Sequence, residues 1–190
     1  MIVVSEKEQV ITIDPAAEEE KIEIGERGSA TVYVGANRKL RLDVILAGER
    51  ASVSVIGGFR GKATDAQEIA VRVLMQAPKT ACDVRFRAAL ADSSASFFDG
   101  LIRVEEGAKD ARGFLSYKAL LLSPGARAKP IPRLEVLTKE VASLGHAASV
   151  GKIDEEQLFY LQSRGLSRTE AENIVVRGFL AIEQNTQKMQ

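Results

Sequence analysis

Ile24-Gly-Glu-Arg-Gly-Ser-Ala-Thr-Val-Tyr-Val-Gly35 and Ala47-Gly-Glu-Arg-Ala-Ser-Val-Ser-Val-Ile-Gly57 are two versions of one phrase. Each opens with a Gly-Glu-Arg turn, continues through small residues, and runs into an alternating strand that ends at glycine. The two turns start at Gly25 and Gly48, 23 residues apart. Between them Leu40, Leu42, Val44 and Leu46 alternate with Arg41, Asp43 and Ile45, the period of a strand. A repeat of this length, built from short strands and small corners, is how a β-solenoid shows itself in sequence. An ordinary β-meander leaves the same trace, so the repeat alone does not choose between them.

The pattern continues downstream. Glu68 to Met75 reads as a strand stopped at Ala77-Pro78, and Cys82 to Leu90 alternates strictly. On the latter, Cys82, Val84 and Phe86 share one face, and Asp83, Arg85 and Arg87 the other. Ala91 to Ala95 is a corner, Ser96 to Val104 a strand, and Glu105 to Ala111 a turn. Gly113 to Ser123, the corner Pro124 to Ala128, and Pro130 to Leu137 follow. Upstream, residues 1–14 suggest a pair of strands, and Pro15 to Lys21 a connecting turn whose acidic run is a solvated loop rather than a metal site. Small residues suit such corners because stacked coils lie at strand spacing, about 4.8 Å, where a bulky side chain would meet its neighbour. Glycine also admits positive φ.

Bulk properties narrow the function. Lysine plus arginine (26) balance aspartate plus glutamate (26), so no long-range pull toward nucleic acid or anionic lipid is expected. The single cysteine, Cys82, allows no internal disulfide and no cysteine-built metal site; on its apolar face it is expected to be a buried small hydrophobe. No apolar run approaches the roughly 18 residues of a membrane span. The N-terminal MIVVSEKEQ lacks the basic leader and long apolar stretch of a signal peptide. A cytoplasmic protein is expected.

At Lys152 the period becomes helical. Asp154 is an N-cap with Gln157 three residues on, and Leu158, Leu161 and Gln162 follow at helical spacing. Arg164-Gly165 supplies the stop. Ser167 and Glu170 form a capping box for a second helix, with Ala171, Ile174, Val175, Gly178, Phe179 and Ile182 as its apolar stripe. Gln184 to Gln190 reads as a fraying polar end. This helical tail is a candidate cap for the open end of a solenoid. A DNA-reading hairpin is excluded because Arg168 and Arg177 sit among Glu170, Glu172 and Glu183. A sugar-cleaving β-helix needs clustered carboxylates, and Asp43, Asp83 and Asp99 are scattered.

From about Phe97 to Phe179 the chain resembles the SufB/SufD family, core scaffold subunits of the SUF iron–sulfur cluster assembly machine. The resemblance rests on an ordered set: Phe98-Asp-Gly-Leu-Ile-Arg-Val104 with Ala108 and Ala111; Leu120-Leu-Leu-Ser123, Ala126 and Ala128; Pro132-Arg-Leu-Glu-Val136; His146-Ala-Ala-Ser-Val-Gly151; and Ile153 to Leu166 with Ala171 and Gly178-Phe179. It implies a mainly β protein: a right-handed parallel β-helix over residues 1–150 followed by a short α-helical domain over 151–190. It implies pairing of two β-helices, with a SufB-like chain or as a homodimer. It also implies docking of the tail onto SufC, an ABC-type ATPase. The chain has no G-x-x-x-x-G-K-[ST] loop, so ATP hydrolysis falls to that partner and this chain is expected to be non-catalytic.

The departures are informative. SufB-type members carry a cysteine shortly before the Leu-Leu-Ser segment, where Tyr117 stands here, and a glutamate after the histidine, where Ala147 stands. With 190 residues the chain is also shorter than typical members and looks SufD-like or more reduced. His146, the only histidine, is the one candidate metal ligand, acting only with ligands from a partner chain on a transient shared iron–sulfur cluster. The bland alternative is a histidine hydrogen-bonded to backbone at the last coil. Phe159, Tyr160, Arg164 and Gly165 are the candidate ATPase-binding residues, since aromatics and arginine dominate interface anchors; the alternative is that Phe159 and Tyr160 pack the tail onto the solenoid. A structural β-solenoid that only oligomerises is the competing function.

Overall fold

The computed structural model describes residues 1–5, 8–35 and 37–181. Twelve strands run in order: β1 (Ile2–Val4), β2 (Glu8–Thr12), β3 (Glu19–Ile24), β4 (Ser29–Val34), β5 (Lys39–Leu46), β6 (Ser52–Gly61), β7 (Ala66–Met75), β8 (Ala81–Leu90), β9 (Ala95–Val104), β10 (Ala111–Leu121), β11 (Arg127–Val136) and β12 (Val141–Lys152). Two helices follow, α1 (Glu155–Ser163) and α2 (Arg168–Ala181). The odd strands form one sheet, β1-β3-β5-β7-β9-β11, and the even strands another, β2-β4-β6-β8-β10-β12, and the paired strands are parallel. Each coil thus adds one strand to each sheet, and the chain is a parallel β-solenoid rather than a meander.

Alternation builds the core between the sheets. Along β7, Gln67, Ile69, Val71, Val73 and Met75 are buried, while Glu68 and Arg72 face solvent. Because the coils stack in register, inward residues form columns. Ile24, Leu46, Met75 and Val104 make one such column, and Val32, Val55, Val84 and Leu115 another; all eight are fully buried. Where columns hold rings, a glycine makes room. Phe98 lies 4.8 Å from Phe86 and 5.1 Å from Tyr117, centroid to centroid. A Cβ on Gly57 would come within 2.1 Å of the Phe86 ring.

Coil length explains why the repeat is visible only once. Ser29 pairs with Ser52, 23 residues on, but Ser52 pairs with Ala81, 29 on, and Ala81 with Arg112, 31 on. The coils lengthen along the chain, so a fixed period fades. The turn expected over Pro15 to Lys21 is also shorter than that, because β3 already starts at Glu19.

Corners take positive φ, but not through glycine. Arg27, Arg50, Lys79 and Asp110 at one seam, and Ala63 and Asp92 at the other, have φ between 51° and 60°. The N–H groups at the first seam each donate to the next coil: Arg27 to Glu49 O (2.9 Å), Arg50 to Pro78 O (3.0 Å), Lys79 to Lys109 O (2.7 Å) and Asp110 to Glu140 O (2.8 Å). The left-handed residue turns its amide along the stack, and that bond offsets the roughly 1–2 kcal/mol Cβ penalty. The corner glycines serve close approach instead: a Cβ on Gly48 would lie 2.0 Å from the Glu26 backbone nitrogen.

The tail does not cap the solenoid. α2 packs against β8 on the outward face of the even sheet. Arg87 of β8 donates to the Phe179 carbonyl (2.5 Å) and sits 5.4 Å from the centre of its ring, and Arg60 of β6 donates to Asn173 Oδ1. A small apolar cluster of Ile153, Leu158 and Ala171 joins Leu120 of β10, so the helices share the core of the sheet's outer face rather than owning one. This placement rotates the buried arc of α2. Ala171 and Val176 are buried, whereas Ile174 and Gly178 of the expected stripe are exposed. Ile182 and the expected frayed end lie outside the described residues. Among the described residues, no helix is long and apolar enough to cross a membrane.

Candidate functional site: the uncovered last coil and the outer face of helix α1

The last coil, β11 and β12, is the outer strand of both sheets. Val136 tops the column of Ile24, Leu46, Met75 and Val104, yet it is 42% exposed; Val150, in register with Ala119, is 45% exposed. Leu137 beside it is exposed as well. These side chains have core identity without a coil above them. Among the described strands, neither β11 nor β12 has a second strand on its far edge, which leaves two rows of backbone donors and acceptors open for pairing.

His146 sits in the middle of this surface. It pairs with Leu115 and so continues the column of Val32, Val55, Val84 and Leu115, where every other described position is aliphatic. It is exposed, and no hydrogen bond ties it to a described residue. The bonded-histidine alternative is therefore not what the fold shows. Neighbouring Ala147 is in register with outward-facing Ser116, so the two positions face opposite sides of the sheet. Among the described residues, no group of three or more His, Cys, Asp or Glu side chains is placed to hold a metal ion. His146 is thus a lone exposed imidazole rather than part of such a group.

Tyr117, standing about where the resemblance places a cysteine, points into the core. It stacks on Phe98 and its hydroxyl donates to Ser96 Oγ at 2.8 Å. Burial raises its pKa, and the Ser96 hydrogen bond opposes that. Cys82 is also buried, 3.9 Å from Met75 Sδ, and burial with the neighbouring Asp83 charge pushes its thiol up to about 12. A thiol so protonated is a poor nucleophile and a poor metal ligand. The scattered aspartates are bound up in ion pairs: Asp43 with Arg72 (2.6 Å), Asp99 with Arg133 (2.6 Å), and Asp83 with Arg85.

Helix α1 is fixed at both ends as its sequence requires. Asp154 accepts from Glu156 N at 2.9 Å, and Gly165 at φ +94° donates to Gln162 O at 2.9 Å. The Ser167–Glu170 box closes reciprocally, Ser167 N to Glu170 Oε2 at 2.8 Å and Glu170 N to Ser167 Oγ at 3.3 Å, which lowers the Glu170 pKa. Arg168 bridges the two helices through Glu155 (2.8 Å) while also pairing with Glu172 (2.9 Å). With Leu158 turned fully inward, Phe159 and Tyr160 face out, 73% and 57% exposed. The Arg164 guanidinium lies 5.2 Å from the Tyr160 ring centre, and Gly165 follows directly. The alternative, that these rings pack the tail onto the solenoid, does not match their exposure; Leu158 and Ala171 pack there with Ile153 and Leu120. Arg60 and Arg87, which hold the tail, escaped the sequence reading because alternation cannot tell a helix-binding arginine from a solvated one.

Comparison with known proteins agrees with this architecture. A family model described as "SUF system FeS cluster assembly, SufBD core domain" matches residues 20–179. An iron-sulfur cluster assembly SufBD family protein of Mycobacterium tuberculosis is 38% identical over 128 residues, covering 62% of this chain and 32% of that protein. The iron-sulfur cluster assembly protein SufD of Bacillus subtilis is 43% identical over 90 residues, 47% of this chain and 20% of that one. A SufBD family protein of Staphylococcus saprophyticus is 34% identical over 137 residues, 72% of this chain and 29% of its own length. The chain spans about a third or less of the length of these curated relatives. The matched span runs from β3 into α2, over the stacked coils and the hairpin on their flank, and the chain belongs to the SufBD core domain family.

Proposed function

We propose that this chain is a non-catalytic scaffold or accessory subunit of iron–sulfur cluster assembly of the SUF type. It binds an ABC-type ATPase, SufC-like, through α1 and pairs through its last coil with a SufB-like chain or a second copy of itself, in the cytoplasm. The observation that carries this reading is the outward set of Phe159, Tyr160, Arg164 and Gly165, presented by a helix whose opposite face is anchored by Leu158. Two adjacent exposed aromatics backed by an arginine have the composition of an interface anchor, and their exposure costs the free chain apolar surface. Pairing is supported by the two open strand edges and by Val136 and Val150, which a second β-helix end would bury.

In such a pair His146 would meet residues of the other chain, and a cluster in transit could take its remaining ligands from there. Anaerobic reconstitution of the paired complex with iron and sulfide, read by absorbance for wild type and His146→Ala, tests this part; equal spectra remove His146 from the ligand set.

The ATPase part is tested by co-purification with an ABC-type SUF ATPase. Wild type is expected to retain the ATPase, and Arg164→Glu and Phe159→Ala to lose it with unchanged thermal melting. Failure of wild type to retain it, with self-association intact, favours the competing reading of an oligomerising solenoid.

A further inference from the structure

A groove of about 790 Å³ opens where the first residues of β7, β9 and β11 approach the last residues of β10 and β12. This lies within the range of small-molecule sites, about 300–1,000 Å³. Its apolar lining comes from Phe97, Leu121 and Val150 with the small side chains Ala66, Ala95 and Ala128. Its polar lining is mainly cationic: Arg38, Lys39, Arg127 and Lys129 against one acid, Glu68. In a chain with 26 basic and 26 acidic residues, that excess is local. Arg38 has a partner in Asp65 at 3.5 Å, but Lys39, Arg127 and Lys129 have no ion pair among the described residues. Lys129 instead stands 5.8 Å from the centre of the Phe97 ring.

The stacking explains how the charges gather. Lys39, Glu68, Phe97 and Lys129 are one outward row of the odd sheet, and Ala66, Ala95 and Arg127 the row before it. Elsewhere on this face Arg72 meets Asp43, Arg103 meets Glu135 and Arg133 meets Asp99, each a carboxylate in an adjacent coil. At the groove the neighbour across the stack is an alanine or a phenylalanine, so Arg127 and Lys129 keep their charge for something else. Like charges left close together on a folded surface are unfavourable unless an anion relieves them.

We propose that this groove binds a small organic anion with an aromatic body. The ring lies against Phe97 and the apolar wall, and the carboxylate, sulfonate or phosphate is taken up by Arg127 and Lys129. Both halves of the ligand are needed: without the anion the basic residues remain unpaired, and without the ring the apolar lining stays wet. The site is separate from the α1 surface and does not depend on an ATPase.

The test uses the full chain and two dyes, 8-anilinonaphthalene-1-sulfonate and its uncharged counterpart N-phenyl-1-naphthylamine, followed by fluorescence titration. Saturable binding of the sulfonate dye is expected at one per chain, at least tenfold tighter than the neutral dye. Arg127→Ala with Lys129→Ala should weaken the sulfonate dye about tenfold or more and leave the neutral dye unchanged, and Phe97→Ala should weaken both. Lys109→Ala, which removes a positive charge paired with Glu140 outside the groove, should change neither. The proposal is overturned if the two dyes bind alike, if the double alanine variant binds the sulfonate dye as wild type does, or if Lys109→Ala weakens the sulfonate dye as much as the double alanine variant does. Absence of saturable binding overturns it too. Unchanged circular dichroism melts for these surface variants keep the readout tied to the groove.

Discussion

Val104 and Val136 are the same residue type in the same inward column, one coil apart. The first is fully buried; the second is 42% exposed. Leu115 and His146 make a parallel pair in the even sheet, where the aliphatic member is buried and the imidazole is not. An inner coil is covered from both sides and its side chains become core, whereas the last coil keeps the inward pattern but has solvent on one side. The difference teaches that in this fold burial is conferred by the neighbouring coil, so the last coil keeps a core pattern that is covered on one side only.

The sharpest way to break that comparison is to empty one inward position in each region. Phe98→Ala removes the ring between Phe86 and Tyr117 and should cost about 4 kcal/mol. Leu134→Ala, on half-buried β11, should cost about 1 kcal/mol. Urea denaturation midpoints check both. Equal losses would mean that the last coil is as well packed as the inner ones, contrary to its exposure.

Glycines give a second contrast with a smaller effect. Gly48→Ala places a methyl group 2.0 Å from the Glu26 nitrogen, a backbone atom that cannot swing away, and is expected to cost about 2–3 kcal/mol. Gly151→Ala meets nothing within 4 Å and should shift stability by less than about 0.5 kcal/mol. A Gly151→Ala loss as large as that of Gly48→Ala would remove close approach as the reason for the corner glycine.

Two inner-coil polar groups sharpen the picture further. Tyr117→Phe deletes the donor to buried Ser96 Oγ and should cost about 1 kcal/mol in the same urea assay. Cys82 predicts a pH effect of definite sign. Its folded thiol holds the proton up to about 12, whereas an unfolded one releases it near 9.0. Below 9 both states are protonated and nothing is lost. Between 9 and 12 the unfolded chain sheds the proton first, so stability should fall with rising pH, and Cys82→Ala should flatten that slope. Thiol labelling at pH 8 should likewise proceed only as fast as the chain opens.

Much of this was legible in sequence because alternation is local. The inward and outward faces of β8, the caps at Asp154 and Ser167, and the stop at Gly165 each depend on residues within a few positions. What escaped was set by residues one coil or more away. Positive φ at Arg27, Arg50, Lys79 and Asp110 follows from carbonyls in the next coil, not from the residue type. Placement of α2 beside β8 depends on Arg60 and Arg87, about a hundred residues upstream, and it turned Val176 inward in place of Ile174. The family phrase marked His146 and the α1 residues, but it could not tell that Phe159 and Tyr160 face solvent, or that Val136 and Val150 stand uncovered around the histidine. Exposure of a residue whose pattern reads as core is visible only once the stack is built.

The smallest expected change in stability belongs to the last coil, and it is the one that separates a free end from a docking end. Val136→Lys replaces an exposed apolar side chain with a charged one that can reach water, so the urea midpoint of the isolated chain should move by less than about 0.5 kcal/mol. The same lysine in a closed pair would have to be buried without a partner charge, an outcome that costs several kcal/mol or prevents closure. Sedimentation of wild type and variant, alone and mixed with a SufB-like chain, should therefore show lost association beside unchanged folding. If the variant pairs as wild type does, β11 lies outside the contact and the exposed valine is only an unprotected end. If it unfolds instead, Val136 is already core in the single chain, and the contrast between the inner coils and the last one collapses.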